Sequence, residues 1–194
     1  MKRKFEIATA LLAILLISAP ASGTPGAPNG WTITGSKPQD YTFGTEHIDG
    51  SEGKQSAYIK ARPNASPDGF GTLMQFIKAD NYIGQRLRLS ARLKSVTTGR
   101  LQLWMRIDGV DKMLAFYNMD DHPITGTTDW KRYEIVLDVP VGSTYINYGF
   151  LLSGGKGSGW ADAFSLEAVD KNIPVSLMPP ASISTKPVNM NFDQ

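Results

Sequence analysis

Apolar and polar residues alternate with a period of two along most of this chain, and no window shows the three-and-four spacing of an amphipathic helix. Arg86 to Lys94 sets Leu87, Leu89, Ala91 and Leu93 against polar neighbours. Leu101 to Asp108 repeats the pattern: Leu101, Leu103, Met105 and Ile107 share one face, and Gln102, Trp104, Arg106 and Asp108 the other. Tyr133, Ile135, Leu137 and Val139 form a third such row. Shorter runs at Ser56–Lys60, Gly71–Lys78, Met113–Asn118, Tyr145–Leu152 and Phe164–Val169 are bounded by Gly, Pro, Asn and Asp clusters. Alternation over such short segments is the mark of half-buried antiparallel strands. About eight or nine strands at roughly ten-residue spacing predict an all-β fold, an antiparallel β-sandwich or barrel rather than alternating parallel units.

Breaker residues divide the chain. Thr24 to Gly30 form a lead-in, the folded domain spans 31–170, Gly154 to Gly159 read as a flexible loop, and 171–194 form a proline-rich tail without periodicity. A domain of that length buries about two-thirds of its unfolded surface, enough for stability without cross-links.

The composition of the 194 residues, 41% hydrophobic and 20% charged, suits one globular unit. The absence of cysteine excludes a disulfide scaffold, a thiolate metal site and a cysteine nucleophile. Lys2, Arg3 and Lys4 precede an apolar run from Ile7 to Ile17 and a small-residue exit at Ala19-Pro20-Ala21 or Ala21-Ser22-Gly23. This is the pattern of an export signal over residues 1–23, too short to span a bilayer. It predicts a periplasmic or extracellular protein with neither a lipid nor a membrane anchor. The formal charge of +2 belongs to that signal, because removing it with Glu6 leaves 17 basic and 17 acidic residues of the original 20 and 18. A balanced domain lacks the basic stripe that nucleic acid requires.

Catalytic motifs are sparse. There is no nucleophile elbow, phosphate loop or dinucleotide fingerprint. His47 and His122 both lie in polar, turn-like segments. In Asp120-Asp121-His122, neighbouring side chains on extended chain point apart, so at most two can converge without a special turn. No cofactor is expected; a structural calcium on oxygen ligands such as Glu46, Asp49 or Asp162 stays open, although no loop follows a calcium motif.

The informative position is Trp104, between Gln102 and Arg106 on the polar side of its strand. A large ring there either packs under a loop or offers a flat platform on which a sugar stacks. Tyr117 and Asn118 end a strand that could face the same groove. For Trp31, Trp130 and Trp160, at strand edges, packing is the simpler reading.

Several blocks resemble one bacterial family: Trp31, Gly35-Ser-Lys-Pro-Gln-Asp-Tyr41, Gly69-Phe-Gly-Thr-Leu-Met-Gln75, Leu103-Trp-Met-Arg-Ile-Asp-Gly109, Asn118-Met119, Pro123-Ile-Thr-Gly-Thr127, Asp129-Trp130 and Val136-Leu-Asp-Val-Pro140. The family is an exported module found alone or joined to erythromycin-esterase-like and regulator-like proteins. Its layout is similar to carbohydrate-binding-module jelly rolls of the galactose-binding-like kind. Where a second Trp would be expected before Leu103 the chain has Thr98 to Gln102, and where an Asp would precede Asn118 it has Tyr117.

The resemblance implies a secreted, non-catalytic module for a carbohydrate or similar polar ligand. Trp104 would be its platform, with Gln102, Arg106, Asn118 and Tyr117 around it. A small hydrolase or lyase using His122 with Asp120 or Asp121 is the alternative, and a structural or protein-interaction module the third reading. The surroundings of Trp104 separate the three. An open groove favours ligand binding, converging carboxylates or histidine favour catalysis, and a buried ring favours packing or the interaction module.

Overall fold

The computed structural model describes residues 26–177. The expected export signal, residues 1–23, and the end of the expected tail lie outside them. Among the described residues there are nine strands: β1 (Thr32–Gly35), β2 (Tyr41–Glu46), β3 (Ser56–Ala61), β4 (Phe70–Lys78), β5 (Arg86–Asp108), β6 (Met113–Tyr117), β7 (Ile124–Asp138), β8 (Tyr145–Ser153) and β9 (Ser158–Val169). Every pairing is antiparallel. The expected all-β sandwich of the jelly-roll type is therefore what the chain forms.

β5 organises both layers. Its C-terminal half, Arg100–Asp108, pairs with β8 and continues into β6, giving a front sheet ordered β1-β4-β8-β5-β6. Its N-terminal half pairs with β7 on one side and β9 on the other, giving a back sheet ordered β7-β5-β9-β3-β2. The sequence suggests two strands here, separated at Ser95 to Arg100; they are one strand of 23 residues. Three register shifts against β7 between Leu93 and Leu101 bend it from one sheet to the other, as bulges do. Ser95 and Thr98, both buried, donate to the Gly126 carbonyl at 3.1 Å each and so satisfy the bend internally. Gly99 lies so close to β8 that a Cβ would fall 2.5 Å from the Ser153 carbonyl oxygen.

The alternation places the core where the pattern predicts. Leu87, Leu89, Leu93, Leu101, Leu103, Met105 and Ile107 are all fully buried, and Leu73, Ile59, Ile146, Phe150 and Leu152 meet them from the other strands. The short edge strands β1 and β2 have no clear alternation in the sequence and emerge only through their partners. β9 starts at Ser158, inside the expected Gly154–Gly159 loop, and is interrupted by a bulge opposite Ser90 to Arg92, where Ala163 takes φ 50°.

Residues beyond Asp170 follow the free edge of β7. Ser176 donates its amide to the Val136 carbonyl at 2.8 Å, and the Val136 amide donates to Ser176 Oγ at 3.0 Å. Arg86 donates to both Asp138 carboxylate oxygens, at 2.8 and 2.9 Å, and to the Lys171 and Ile173 carbonyls.

Candidate functional site

The outward face of the front sheet gathers most of the residues singled out above. Register fixes who stands beside whom: Phe76 on β4, Asn147 on β8, Arg106 on β5 and Phe116 on β6 form one row across four strands. Three interstrand steps of about 4.8 Å separate the two phenylalanines by about 14 Å. Phe76 is 56% exposed and Phe116 39%, an unusual position for aromatic rings on the solvent side of a sheet. Between them lies a polar centre. Arg106 donates to Asp108 Oδ2 through Nε at 3.0 Å and Nη2 at 2.9 Å, and Asn147 donates to the same oxygen at 2.6 Å. Arg106 and Asp108 are mostly covered and Asn147 is buried. The pair is close to neutral, while the remaining guanidinium N–H groups and the Asn147 carbonyl oxygen stay outside these bonds.

One row further along, Trp104 faces Gly149 on β8, which faces Met74 on β4. The indole reaches across that glycine and donates through Nε1 to Thr72 Oγ1 at 2.9 Å; Thr72 in turn donates to the Phe150 carbonyl at 2.8 Å. Only 8% of Trp104 is exposed. The ring is thus no open platform but packed, the outcome expected for plain packing or an interaction module, and a ligand-binding reading of this face rests on other residues. Gln102 is 3% exposed and donates to the Asn118 carbonyl at 2.8 Å, so it braces the strand end rather than projecting outward. Asn118 is half-buried and accepts the Asp120 amide. Of the five residues named from the sequence, Arg106 and Asn118 retain partly accessible polar groups on this side.

Tyr117 does not join the face. Alternation turns it inward, where it is 4% exposed within the core. Its hydroxyl donates to Asp121 Oδ1 at 2.9 Å and lies 3.2 Å from His122 Nδ1. Burial first, and then the Asp121 carboxylate, push its pKa up to about 12. Burial opposes ionisation of Asp121, but the hydrogen bonds from Tyr117 and His122 prevail and hold its carboxyl below the usual range. Asp120 instead points to Arg100. Met119, at φ 55° and buried, supplies the turn that brings Asp121 and His122 together while sending Asp120 elsewhere.

The oxygen ligands considered for calcium have separate partners. Glu46 holds Lys60 and the Trp160 indole, Asp162 accepts the Glu52, Gly53 and Ala163 amides, and Asp49 offers its carbonyl to Trp130. Trp31 packs edge-on against Tyr148 and Phe164, and Trp160 is 7% exposed.

Phe76, Phe116, Asn147 and the central role of Asp108 were not anticipated from the sequence. Their signal was phase: Phe76 falls on the face opposite Leu73 and Ile77, and Phe116 opposite Ala115 and Tyr117. An aromatic out of phase with the core is the clue.

Comparison with known proteins supports this fold. No family model matches the chain. A family 4 carbohydrate-binding module superposes with a TM-score of 0.53 at 16% identity, covering 77% of this chain and 93% of that one. The xylan-binding CBM22-1 domain of Paenibacillus barcinonensis Xyn10C gives 0.51 at 16%, covering 74% and 88%. A CBM61 module solved with β-1,4-galactotriose gives 0.51 at 15%, covering 75% and 92%. The fold is that of the carbohydrate-binding-module jelly rolls. In sequence, the chain is 41% identical over 168 residues to an uncharacterized HTH-type transcriptional regulator, YbfP, of Bacillus subtilis. The match covers 85% of this chain and spans 57% of that relative's length.

Proposed function

We propose that this domain is a non-catalytic glycan-binding module, exported by its N-terminal signal, that takes a neutral saccharide chain across the outer face of the front sheet. The observation that carries the reading is the row Phe76–Asn147–Arg106–Phe116, two exposed rings flanking a charge-balanced hydrogen-bonding centre. Exposed aromatic faces suit the C–H surfaces of pyranose rings, and the Arg106 and Asn147 groups suit hydroxyls. Trp104 and Gln102 build the floor, and Asn118 closes one side. Binding rather than hydrolysis is favoured because Asp108, the carboxylate at the centre, already accepts from Arg106 and Asn147; glycoside hydrolysis uses two working carboxylates. The xylan and β-1,4-galactotriose of the neighbouring modules make neutral polysaccharides the first ligands to try.

The relative's name is that of an HTH-type regulator, whereas the helical segments among the described residues are two three-residue 3-10 turns, Pro38–Asp40 and Asp80–Tyr82. A ligand-binding role for the shared portion fits both settings. A shallow face implies affinities of roughly micromolar to millimolar. Affinity electrophoresis in gels of xylan and β-1,4-galactan tests the proposal. Retardation should fall about tenfold or more in the folded Phe76→Ala and Phe116→Ala variants. Unchanged retardation in both would remove the row from the function.

A further inference from the structure

The open side of the sandwich, where the edge of the front sheet meets the edge of the back sheet, carries a depression of about 490 Å³. It stands apart from the Phe76–Phe116 row. Ile33 of β1, Phe43 of β2, Pro38 and Gln39 of the 3-10 turn, Tyr58 of β3 and Arg62 just beyond β3 are among the residues that line it. From this lining we infer a second ligand site at the β1–β2 seam, one that takes an acidic monosaccharide unit, a uronate. The inference does not depend on the front-sheet reading.

Shape is the first ground. Tyr58 leans across β2 at Gly44, where a Cβ would fall 2.8–3.0 Å from the hydroxyl, Cζ and Cε1 of the ring. Glycine at this position is what allows the phenol to reach the β2 edge and border the depression. The volume falls within the 300–1,000 Å³ usual for small-ligand sites and accommodates a sugar ring. Ile33, Pro38, Phe43 and the Tyr58 ring offer carbon surface for its C–H face.

Charge is the second ground. The lining contains one cation, Arg62, and neither Asp nor Glu. Of the carboxylates beside these elements, Glu46 is paired with Lys60 at 2.7 Å, whereas Asp40, between Gln39 and Tyr41, accepts the Ser66 amide at 2.9 Å and keeps its charge. Lys60 itself lies 4.4 Å above the Tyr58 ring, between that ring and Glu46. Among the described residues Arg62 makes no ion pair. A guanidinium with a free fork beside apolar walls matches a ligand with one carboxylate and a hydrophobic ring face, because the bidentate pair fixes both charge and orientation. Gln39 and Tyr58 bring an amide and a hydroxyl to the lining, groups that suit sugar hydroxyls.

The test is titration of the full chain with D-glucuronate, D-glucose and acetate, followed by chemical-shift or saturation-transfer NMR, for the wild type and the Arg62→Gln, Arg62→Lys, Tyr58→Ala and Phe76→Ala variants. Glucuronate should bind about tenfold or more tightly than glucose or acetate, with perturbed signals at Ile33, Phe43 and Tyr58. Arg62→Gln should erase the preference over glucose, Arg62→Lys should keep part of it, and Tyr58→Ala should weaken glucuronate. Phe76→Ala should leave it unchanged, which separates this site from the front-sheet row. Equal binding of glucose, equal binding of acetate, or full glucuronate affinity in folded Arg62→Gln would each overturn the assignment.

Discussion

Trp104 Nε1 donates to Thr72 Oγ1 at 2.9 Å, joining β5 to β4 across the whole width of β8. Both groups are buried, and the same hydroxyl donates onward to the Phe150 carbonyl. Thr72→Val keeps the shape and removes the oxygen. The indole N–H is then left in a dry site without an acceptor, and the expected loss is about 1–3 kcal/mol of unfolding free energy. Urea denaturation followed by tryptophan fluorescence measures it. A loss within error of zero would mean that the bond does not anchor the ring.

Arg86 and Asp138 form a second cross-strand tie, and one with a pH signature. The hydrogen bond from Arg86, more than burial, holds the Asp138 carboxyl below its usual range. A depressed folded-state value adds stability above the unfolded carboxylate pKa, about 3.9, and that contribution is lost as pH falls through the folded value. The stability difference between wild type and Asp138→Asn should therefore be present at neutral pH and shrink in acid. In Arg86→Ala, which also frees the Lys171 and Ile173 carbonyls, the Ser176 amide should exchange faster by hydrogen–deuterium exchange.

The all-β architecture was legible because both halves of β5 and the second half of β7 carry regular alternation, and burial of one face is all that such alternation encodes. Arg106 was legible for the same reason, standing on the polar phase opposite Leu103, Met105 and Ile107. What escaped were relations between strands. That Trp104 would lie against a glycine on β8 and beneath a hydroxyl on β4 depends on register, which no single strand contains. The bend in β5 reads locally as a break, since Thr97, Thr98 and Gly99 resemble a turn; the ladders to β9 through Val96, to β7 at Thr98 and to β8 from Arg100 make it one strand, and the Ser95 and Thr98 hydroxyls brace it on the Gly126 carbonyl. Asp121 and His122 meet Tyr117 because Met119 takes a left-handed conformation that side-chain pattern does not announce.

The Tyr117 hydroxyl predicts alkaline behaviour. Its pKa rises from 10.0 to about 12 on folding, by burial and by the Asp121 carboxylate. A raised value adds stability below the unfolded pKa, and that stability is lost as pH climbs through the folded one. Wild type should lose stability relative to Tyr117→Phe between about pH 10 and pH 12. Near neutrality the variant should be less stable by about 1 kcal/mol for its missing hydrogen bonds. Ultraviolet titration should show the last-ionising tyrosine disappear in the variant. Tyr41, Tyr133 and Tyr148 are raised too, chiefly by burial, and should remain.

Asp108 sets the electrical character of the front-sheet row. One of its oxygens accepts from Arg106 Nε, Arg106 Nη2 and Asn147 Nδ2, and its charge offsets the guanidinium. Asp108→Asn keeps the size and can keep a carbonyl oxygen where Oδ2 meets the three N–H groups, but it removes the negative charge. Arg106 is then a cation without a counter-charge, on a face built for neutral hydroxyls. Affinity for neutral xylan should fall by about tenfold, a change of about 1.4 kcal/mol, while weak retention of acidic polysaccharide should rise. Affinity electrophoresis in neutral and acidic gels at two salt concentrations reads both effects, because only the gained acidic retention should weaken with salt. If neutral binding survives the substitution unchanged, the Arg106–Asp108 pair supports the sheet and takes no part in recognition.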